Sequence, residues 1–359
     1  MRQSSSATVV TLTALLAACA PATTPSPAPL DRPILEVQQS GTTALLQAVS
    51  APGEEVAWVS GHRGTWVRTT DGGRTWTAGG VAGADTLQFR DVHAMSADTA
   101  VLLSSGPGDL SRVYRTTDGG ATWSLRHVNP DSAGFYDCLD FWDDLHGVLY
   151  GDSVDGRLVV LETRDGGLTW ARVSADRLPP AQPGEGGFAA SGTCARTMVA
   201  LGDDRGWIAT GNAARPRVLR TTDRGRSWTA SEPPLPRGEG NGATSVTFRD
   251  AWIGVAAGGE IGKRDGRGDY VAVSSDGGVS WSVGGRPTFA GSVYGASYVP
   301  HARRPTVFAV GPGGADWSLD DGRSWSAVDS ASYWGLGFAS PRAGWLVGPN
   351  GRIVKVRVE

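Results

Sequence analysis

The sequence carries little net charge and, beyond its first twenty residues, no long apolar run. Its 359 residues include 33 basic and 36 acidic side chains, which leaves a formal net charge of −3. Such a balance gives no reason to expect nucleic acid or an anionic membrane surface as the main partner. Because no apolar run of sufficient length follows residue 20, no later segment is predicted to cross a bilayer as a helix.

Lysine is scarce, so most of the basic residues are arginines, whereas glycine, proline and tryptophan are abundant. The chain contains 51 glycines, 21 prolines and 14 tryptophans. Glycine and proline favour turns and weaken the interiors of helices. This composition predicts a turn-rich, all-β protein.

The first twenty residues have the features of an export signal. Arg2 precedes a short, mostly apolar run from Ala7 to Ala18, and residues 16–19 read Leu-Ala-Ala-Cys. This ending resembles the lipobox of bacterial lipoproteins, and the resemblance implies cleavage after residue 18 and lipidation of Cys19. An ordinary cleaved signal with a chance cysteine is the alternative.

The residues after the signal peptide are rich in proline. Residues 19–33 are therefore predicted to form an extended tether between the signal peptide, residues 1–18, and a single folded domain, residues 34–359. Ala20 stands where retention in an inner membrane usually requires aspartate. The resemblance thus implies a periplasmic or outer-membrane location if the host has two membranes, with membrane contact through the lipid alone.

Two cysteines remain in the folded domain, Cys138 and Cys194. In an oxidising compartment outside the cytoplasm they are able to form a disulfide. Two buried free thiols are the alternative.

One eight-residue pattern, [ST]-x-D-x-G-x-[TS]-W, occurs six times in the chain. The copies recur at intervals of about 50 residues. Their aspartates are Asp71, Asp118, Asp165, Asp223, Asp276 and Asp320. Six matches to a five-position pattern show an internal repeat, here called the Asp box.

Each fixed residue of the Asp box suits a hairpin turn. The carboxylate can accept hydrogen bonds from backbone N–H groups across the turn, and the glycine can adopt a positive φ. The hydroxyl groups can complete the polar contacts, and the tryptophan is large enough to lie between neighbouring sheets. The six aspartates are therefore predicted to be structural.

The segments between the boxes supply the other strands of a repeating four-stranded unit. Six boxes predict six blades of a β-propeller, and three strands after the last box predict a seventh. Residues 34–38 form a strand without a blade of its own. Pairing that strand with the C-terminal three would close the ring and remove exposed sheet edges. The predicted fold is an all-β, seven-bladed propeller of four-stranded antiparallel blades.

The boxes resemble bacterial neuraminidase repeats, and the chain from Leu35 onward is similar to the photosystem II stability/assembly-factor-like propellers. The matching segments are residues 89–93 (FRDVH), 135–138 (FYDC), 188–194 (FAASGTC) and Gly344-Trp345 with Gly348. Plant and cyanobacterial members of that family assist a membrane subunit during assembly. Nothing in this sequence indicates a photosynthetic host, so that specific task is not expected here.

The longest insertions, Ser174–Thr193 and Glu260–Asp269, are predicted to lie on one face of the propeller. Loops between strands two and three and between successive blades share a face, whereas the Asp boxes lie on the opposite face. The loop-rich face is therefore expected to present a ligand-binding rim around a central mouth. The candidate rim residues are Tyr136, Asp137, Glu185, Phe188, Asn241, Lys263, Arg264, Tyr294, Tyr333 and Trp334.

A non-enzymatic scaffold at the cell envelope, binding a protein or a glycan, is the function that these features favour. The alternative is a glycan-active hydrolase, for which Asp137 and Glu185 are the only carboxylate pair to nominate. A third interpretation treats the rim as solvated loops without a ligand. No metal spacing, dinucleotide motif or other cofactor site is predicted, and enzymatic activity is not expected.

Overall fold

The computed structural model describes Met1, residues 31–200 and residues 203–359. The predicted signal peptide, Cys19 and most of the tether lie outside the described residues. Within the described part of the chain, no helix is long and apolar enough to span a bilayer. The helical segments there are two short 3₁₀ turns, Gly108–Leu110 and Ala175–Arg177.

In the described part of the chain, twenty-eight strands form seven four-stranded antiparallel sheets, which are the blades of the propeller. From the inner to the outer strand, blade 1 contains β2 (Leu46–Ser50), β3 (Ala57–Gly61), β4 (Thr65–Thr69) and β5 (Thr77–Gly80). Blade 2 contains β6 (Phe89–Ala94), β7 (Ala100–Ser104), β8 (Arg112–Thr116) and β9 (Ser124–Val128). Blade 3 contains β10 (Tyr136–Phe141), β11 (Gly147–Val154), β12 (Arg157–Thr163) and β13 (Ala171–Arg172).

Blades 4 to 7 follow the same order. Blade 4 contains β14 (Ala195–Ala200), β15 (Asp203–Ala209), β16 (Val218–Thr221) and β17 (Thr229–Ser231), and blade 5 contains β18 (Asn241–Phe248), β19 (Gly254–Glu260), β20 (Val271–Ser274) and β21 (Ser282–Val283). Blade 6 contains β22 (Gly295–Tyr298), β23 (Val307–Gly311), β24 (Gly314–Ser318) and β25 (Ser326–Asp329). Blade 7 contains β26 (Gly335–Ser340), β27 (Ala343–Gly348), β28 (Arg352–Arg357) and, as its outer strand, β1 (Ile34–Gln39). The predicted seven-bladed all-β fold is confirmed.

The last blade is completed by the first strand of the domain, as the sequence predicts. β1 pairs antiparallel with β28, in a register that runs from Ile34 opposite Arg357 to Gln39 opposite Arg352. Blade 7 then packs against blade 1, where Leu46 and Trp345 share a buried cluster. Every blade therefore has a neighbouring blade on each side.

The hydrophobic core lies between the blades. Each neighbouring pair of blades contributes to a shared cluster of buried side chains. Between blades 4 and 5, the rings of Trp207 and Phe248 stack with centroids 3.8 Å apart. The tryptophan of an Asp box contacts the preceding blade: Trp123 of blade 2 packs edge-on against Trp58 of blade 1, with centroids 5.9 Å apart.

Hydrogen bonds between innermost strands add to this packing near the axis. Asp91 of blade 2 accepts a bond from the backbone N–H of Leu139 in blade 3, at 2.7 Å. Asp140 of blade 3 accepts one from the N–H of Thr197 in blade 4, also at 2.7 Å. These side chains satisfy backbone N–H groups at strand edges that have no further strand beside them.

The Asp boxes form tight turns between the third and fourth strands of blades 1 to 6. In blade 2, Oδ1 of Asp118 accepts bonds from the Thr116 hydroxyl at 2.8 Å and from the Thr122 N–H at 2.9 Å. Its Oδ2 accepts a bond from the Thr122 hydroxyl at 2.5 Å. The box glycine, here Gly120, has a positive φ in all six copies, between 75° and 89°.

These bonds favour the ionised carboxylate. The side-chain and then the backbone bond from Thr122 lower the pKa of Asp118 from 3.8 to about 2. Because the pKa is lower in the folded state, this contribution to stability is present above pH 3.8 and lost as the pH falls towards about 2.

We therefore expect Asp118→Ala to lower the melting temperature of the protein by several degrees at neutral pH, since the turn loses the acceptor of three hydrogen bonds. The matched control is Asp144→Ala, which removes an exposed aspartate outside the boxes. Thermal unfolding followed by circular dichroism checks both variants. The difference in melting temperature between Asp118→Ala and the parent protein should shrink below pH 3.8. A difference that does not change with pH would contradict the structural role of the ionised Asp118 carboxylate.

Candidate functional site

The long connection from blade 3 to blade 4 closes the centre of the loop-rich face. Its final part, residues 187–193, lies across the propeller axis and is here called the axial plug. Ala189 O accepts a 2.7 Å bond from Gln47 Nε2 of blade 1. The Ser191 hydroxyl donates at 2.8 Å to the carbonyl oxygen of Tyr294, the residue before blade 6. Thr193 O accepts a bond from Val246 N of blade 5 at 3.0 Å.

Small residues allow the plug to fit between the innermost strands. Ala189 and Ala190 are buried, and a Cβ added at Gly192 would lie 2.8 Å from Cβ of Ala48. Gly192 also has a φ of 73°, which favours glycine. The run of small residues between Phe188 and Cys194 is the sequence signal from which the plug could have been inferred.

The disulfide of the structure anchors the end of this segment. Cys194, directly after the plug, is bonded to Cys138 in β10 of blade 3, and the two Cα atoms are 5.9 Å apart. Both residues are fully buried. The bond joins the innermost strands of blades 3 and 4 next to the axis.

The predicted rim is not an open ring of accessible side chains. Lys263 and Arg264 are exposed, and Phe188, Asn241 and Trp334 are half-buried. The remaining five are buried: Tyr136, Asp137, Glu185, Tyr294 and Tyr333. The expected central mouth on this face is therefore wrong, because the plug and the side chains packed around it fill that position.

Glu185 is held inside the fold by an ion pair. Its carboxylate binds the guanidinium of Arg217, with a 2.8 Å bond between Arg217 Nε and Oε1 and a short second bond from Nη2 to Oε2. The Thr210 hydroxyl and the Gln182 N–H each donate a further 2.9 Å bond. With four donors and no solvent exposure of its side chain, this carboxylate has no free oxygen to offer a substrate.

Asp137 lies next to another carboxylate, Asp152 of β11, and among the described residues its Oδ2 atom is buried without a hydrogen-bond partner. Burial, and then the charge of Asp152, raise the pKa of Asp137 well above 3.8. Gly187 of the plug donates its N–H to Asp152 Oδ1 at 2.9 Å. The structure therefore pairs Asp137 with Asp152 beneath the plug, and not with Glu185 across an open cleft as the hydrolase hypothesis requires.

The aromatic rim residues pack on one another. The rings of Tyr294 and Trp334 are 5.1 Å apart at their centroids, and Trp334 is 6.5 Å from His62. His62 also bonds to Gln47, which holds the plug, at 2.6 Å. Burial, with the charge of Arg90 as a second cause, lowers the pKa of His62 to about 4, so this imidazole is neutral at physiological pH.

The propeller has a central channel, but it opens on the Asp-box face. A cavity of 320 Å³ is lined by the innermost strands of all seven blades, from β2 to β26. Gly192 and Thr193 of the plug form its closed end. Its polar lining includes His93, Asp140 and Arg196. These residues were not among the candidates because loop length predicted the central mouth on the opposite face.

Comparisons with known proteins agree with this fold. The model of a family described as photosynthesis system II assembly factor YCF48 matches residues 107–286. A solved structure of YCF48 bound to D1 peptide is 17% identical, with a TM-score of 0.61 over 93% of this chain and 100% of that chain.

Two further structures are similar to the same extent. YCF48 from Cyanidioschyzon merolae is 17% identical, with a TM-score of 0.61 over 90% of this chain and 98% of that chain. The structure of U3-55K is 12% identical, with the same TM-score and coverage. No curated protein sequence matches the chain. At these identities the structural neighbours show the propeller fold and nothing finer.

Replacement by asparagine should change the stability of the protein in opposite directions at Asp137 and at Asp140, which lie on the same strand. The raised pKa of Asp137 means that its contribution to stability is present below pH 3.8 and lost as the pH rises. Burial also acts to raise the pKa of Asp140, but hydrogen bonding to His93 and the charges of His93 and Arg196 outweigh it and lower that pKa.

We expect Asp137→Asn to unfold at an equal or higher denaturant concentration than the parent protein, with a gain that grows from about pH 5 to about pH 8. Asp140→Asn, its matched control on the same strand, should lose stability over that range. Urea titrations at both pH values measure this. A destabilised Asp137→Asn at high pH would show that the Asp137 carboxyl is charged in the folded protein.

Proposed function

Because the chain belongs to the family of photosynthesis system II assembly factor YCF48, we propose that it is a non-enzymatic scaffold that binds a polypeptide segment of a partner protein at the cell envelope. The family model covers half of the chain. One structural neighbour was solved with a bound peptide, and that mode of binding is what we carry over to this protein. The partner itself is not carried over.

The burial of Glu185 is the observation that favours binding over catalysis. A glycoside hydrolase needs two carboxyl groups that face a substrate from opposite sides. Glu185 is bonded to Arg217 and Thr210 inside the protein, and Asp137 is buried beside Asp152 under the plug. Neither carboxyl can approach a glycosidic bond without unpacking of the plug.

A glycan remains the other ligand class for the loop-rich face. There, the exposed Lys263 and Arg264 and the half-buried Asn241 and Trp334 surround the closed centre. A closed, largely packed surface offers few free hydrogen-bonding groups for sugar hydroxyls, which is why we favour a polypeptide.

Immobilised peptide and glycan arrays test the proposed ligand class. We expect the purified propeller, residues 31–359 with the disulfide intact, to bind a subset of mixed-sequence peptides and no glycan. The matched control is protein unfolded in urea, which should lose the peptide signal. Glycan binding without peptide binding, or turnover of chromogenic glycosides, would overturn the proposal.

The proposed location rests on Cys19, which would carry the lipid. The domain begins at Ile34 on the Asp-box face, because this residue pairs with Arg357 at the end of β28. Residues 20–33 could span at most about 50 Å. An anchored protein would therefore hold Ile34 within about 50 Å of the membrane.

We expect Cys19→Ser to release the protein from the membrane fraction, because the lipid would be its only apolar anchor. Fractionation and immunoblotting of cells that express the full chain measure this, with Cys138→Ser as a matched cysteine control that should stay with the membrane fraction. Unchanged membrane association of Cys19→Ser would contradict the anchor and leave the binding proposal standing.

A further inference from the structure

We propose that the Asp-box face of the propeller rests on the surface of a lipid bilayer. Trp252 and neighbouring apolar side chains would insert among the lipids, and Arg303 and Arg304 would lie beside lipid phosphates. This inference rests on the proposed function, in its location at the cell envelope. It adds a second membrane contact to the lipid at Cys19, which the sequence predicted to be the only one.

Large apolar side chains are exposed more often on the Asp-box face than on the loop-rich face. Turns between strands one and two and between strands three and four of each blade lie on the Asp-box face. Among the described residues, five large apolar side chains are exposed in or beside these turns, and together they are here called the apolar surface: Leu145, Leu168, Val199, Trp252 and Val279. In the same part of the chain, the loops of the opposite face expose one, Leu110. Apart from Met1, the others lie on the outer strands β1, β9 and β21.

The apolar surface extends over three consecutive blades. Leu145 and Leu168 belong to blade 3, Val199 to blade 4, and Trp252 and Val279 to blade 5. Apolar side chains gathered on one exposed face mark sites of contact with membranes or with other proteins. Tryptophan in particular is enriched where a bilayer meets water, and 56% of the surface of Trp252 is exposed.

Carboxylates between these apolar side chains are paired with arginines. Arg224 bridges Asp143 of blade 3, at 3.0 Å, and Asp204 of blade 4, at 2.8 Å. Asp203 pairs with Arg205 at 2.6 Å. An unpaired carboxylate would resist transfer towards lipid chains and would be repelled by lipid phosphates. The pairing therefore reduces the electrostatic cost of contact between this face and a bilayer.

The turn that carries Trp252 is fixed by blade 4 and by its own Asp box. Arg205 donates a 2.7 Å bond to Ala251 O, and its guanidinium lies 4.5 Å from the centre of the Trp252 ring. The backbone N–H of Gly277 donates a 2.8 Å bond to Trp252 O. Because this turn is already ordered, insertion of the indole loses little conformational entropy.

The next blade supplies positive charge on the same face. Arg303 and Arg304 are exposed in the turn between β22 and β23, and among the described residues their guanidinium groups form no ion pair. The Arg303 N–H bonds to Glu359 Oε1 at 3.0 Å, which holds this turn against the end of blade 7. Each arginine near an anionic membrane raises binding about fivefold. Apolar groups beside unpaired arginines match lipid chains beside phosphates, so a bilayer is favoured over an apolar protein surface.

The chain that would join the domain to the membrane enters on the Asp-box face at Ile34, opposite Arg357. Residues 20–33 span at most about 50 Å, a reach that keeps the propeller near the bilayer but does not choose its orientation. The apolar surface would make that choice. Because a tethered domain has a high effective concentration at the membrane, a contact too weak to anchor the protein alone is enough to orient it.

The exposed area of Trp252 sets the expected size of its effect. Removal of about 60 Å² of apolar surface from water raises partitioning about tenfold. Burial of a whole aromatic side chain removes about 150–250 Å². The exposed half of Trp252 is therefore expected to change the ratio of docked to undocked protein about tenfold.

A single fluorescent label tests which face meets the bilayer. Residues 20–359 with an N-terminal histidine tag would be held on vesicles of phosphatidylethanolamine, phosphatidylglycerol and a nickel-chelating lipid. This attachment holds the chain at its start whether or not Cys19 is modified in cells. Val279→Cys and Leu110→Cys each provide one free thiol for a nitrobenzoxadiazole label, because Cys138 and Cys194 are bonded to each other.

We expect the label at position 279 to become brighter on vesicles than after release by imidazole, because this fluorophore emits more strongly in an apolar medium. The label at position 110, on the loop-rich face, should not change. Trp252→Ser should lower the ratio of docked to undocked protein about tenfold. Leu125→Ser, the matched control on the exposed outer strand β9, should leave that ratio unchanged.

A paired charge variant tests the contact with phosphates. Arg303→Gln combined with Arg304→Gln should weaken docking on the anionic vesicles and leave it unchanged on vesicles in which phosphatidylcholine replaces phosphatidylglycerol. The matched control combines Arg63→Gln with Arg237→Gln, two exposed arginines of the loop-rich face, and should dock as the parent does. Melting temperatures establish that each variant is folded.

The outcomes separate this inference from the proposed function. An unchanged label at position 279, or a stronger response at position 110, would overturn contact through the Asp-box face. Docking that is insensitive to Trp252→Ser would overturn the role of the apolar surface. Neither result depends on peptide binding or on modification of Cys19, so the peptide arrays and the Cys19→Ser fractionation test the proposed function separately.

Discussion

The antiparallel pairing of β1 with β28 holds the propeller in a closed ring, and the interior of the molecule depends on it. Six residue pairs in antiparallel register join the two ends of the domain. Only a closed ring gives blade 7 a partner in blade 1, where Trp76 and Trp345 meet with centroids 6.1 Å apart. It also arranges the seven innermost strands around one cavity.

Closure of the ring explains why one connection can control access to the channel. The axial plug bonds to Gln47 of blade 1, to Tyr294 before blade 6 and to Val246 of blade 5, groups that are distant in sequence and brought together only by the ring. The disulfide from Cys194 to Cys138 joins the end of the plug to blade 3. A plug tied to several blades keeps the loop-rich end shut, so the channel is accessible from the Asp-box face alone.

The repeats made the fold predictable, and the absence of repetition made the site difficult to predict. Asp118 and its five counterparts act within their own turns, so local sequence spacing is enough to identify them. The plug has no counterpart in the other blades, and its contacts span up to 142 residues, the separation of Gln47 and Ala189. Loop length indicated the right segment, Ser174–Thr193, but length alone cannot distinguish a loop that surrounds a mouth from one that fills it. The burial of Glu185 likewise depends on Arg217, 32 residues away.

Photo-crosslinking tests most directly whether the propeller binds a polypeptide segment at one defined surface. A peptide from the bound set would carry a benzophenone group, and mass spectrometry would locate the attachment points. The account predicts that the crosslinks cluster on one face of the folded propeller and are lost when the protein is unfolded in urea. Crosslinks of equal yield on both faces, or crosslinks that persist in urea, would contradict it.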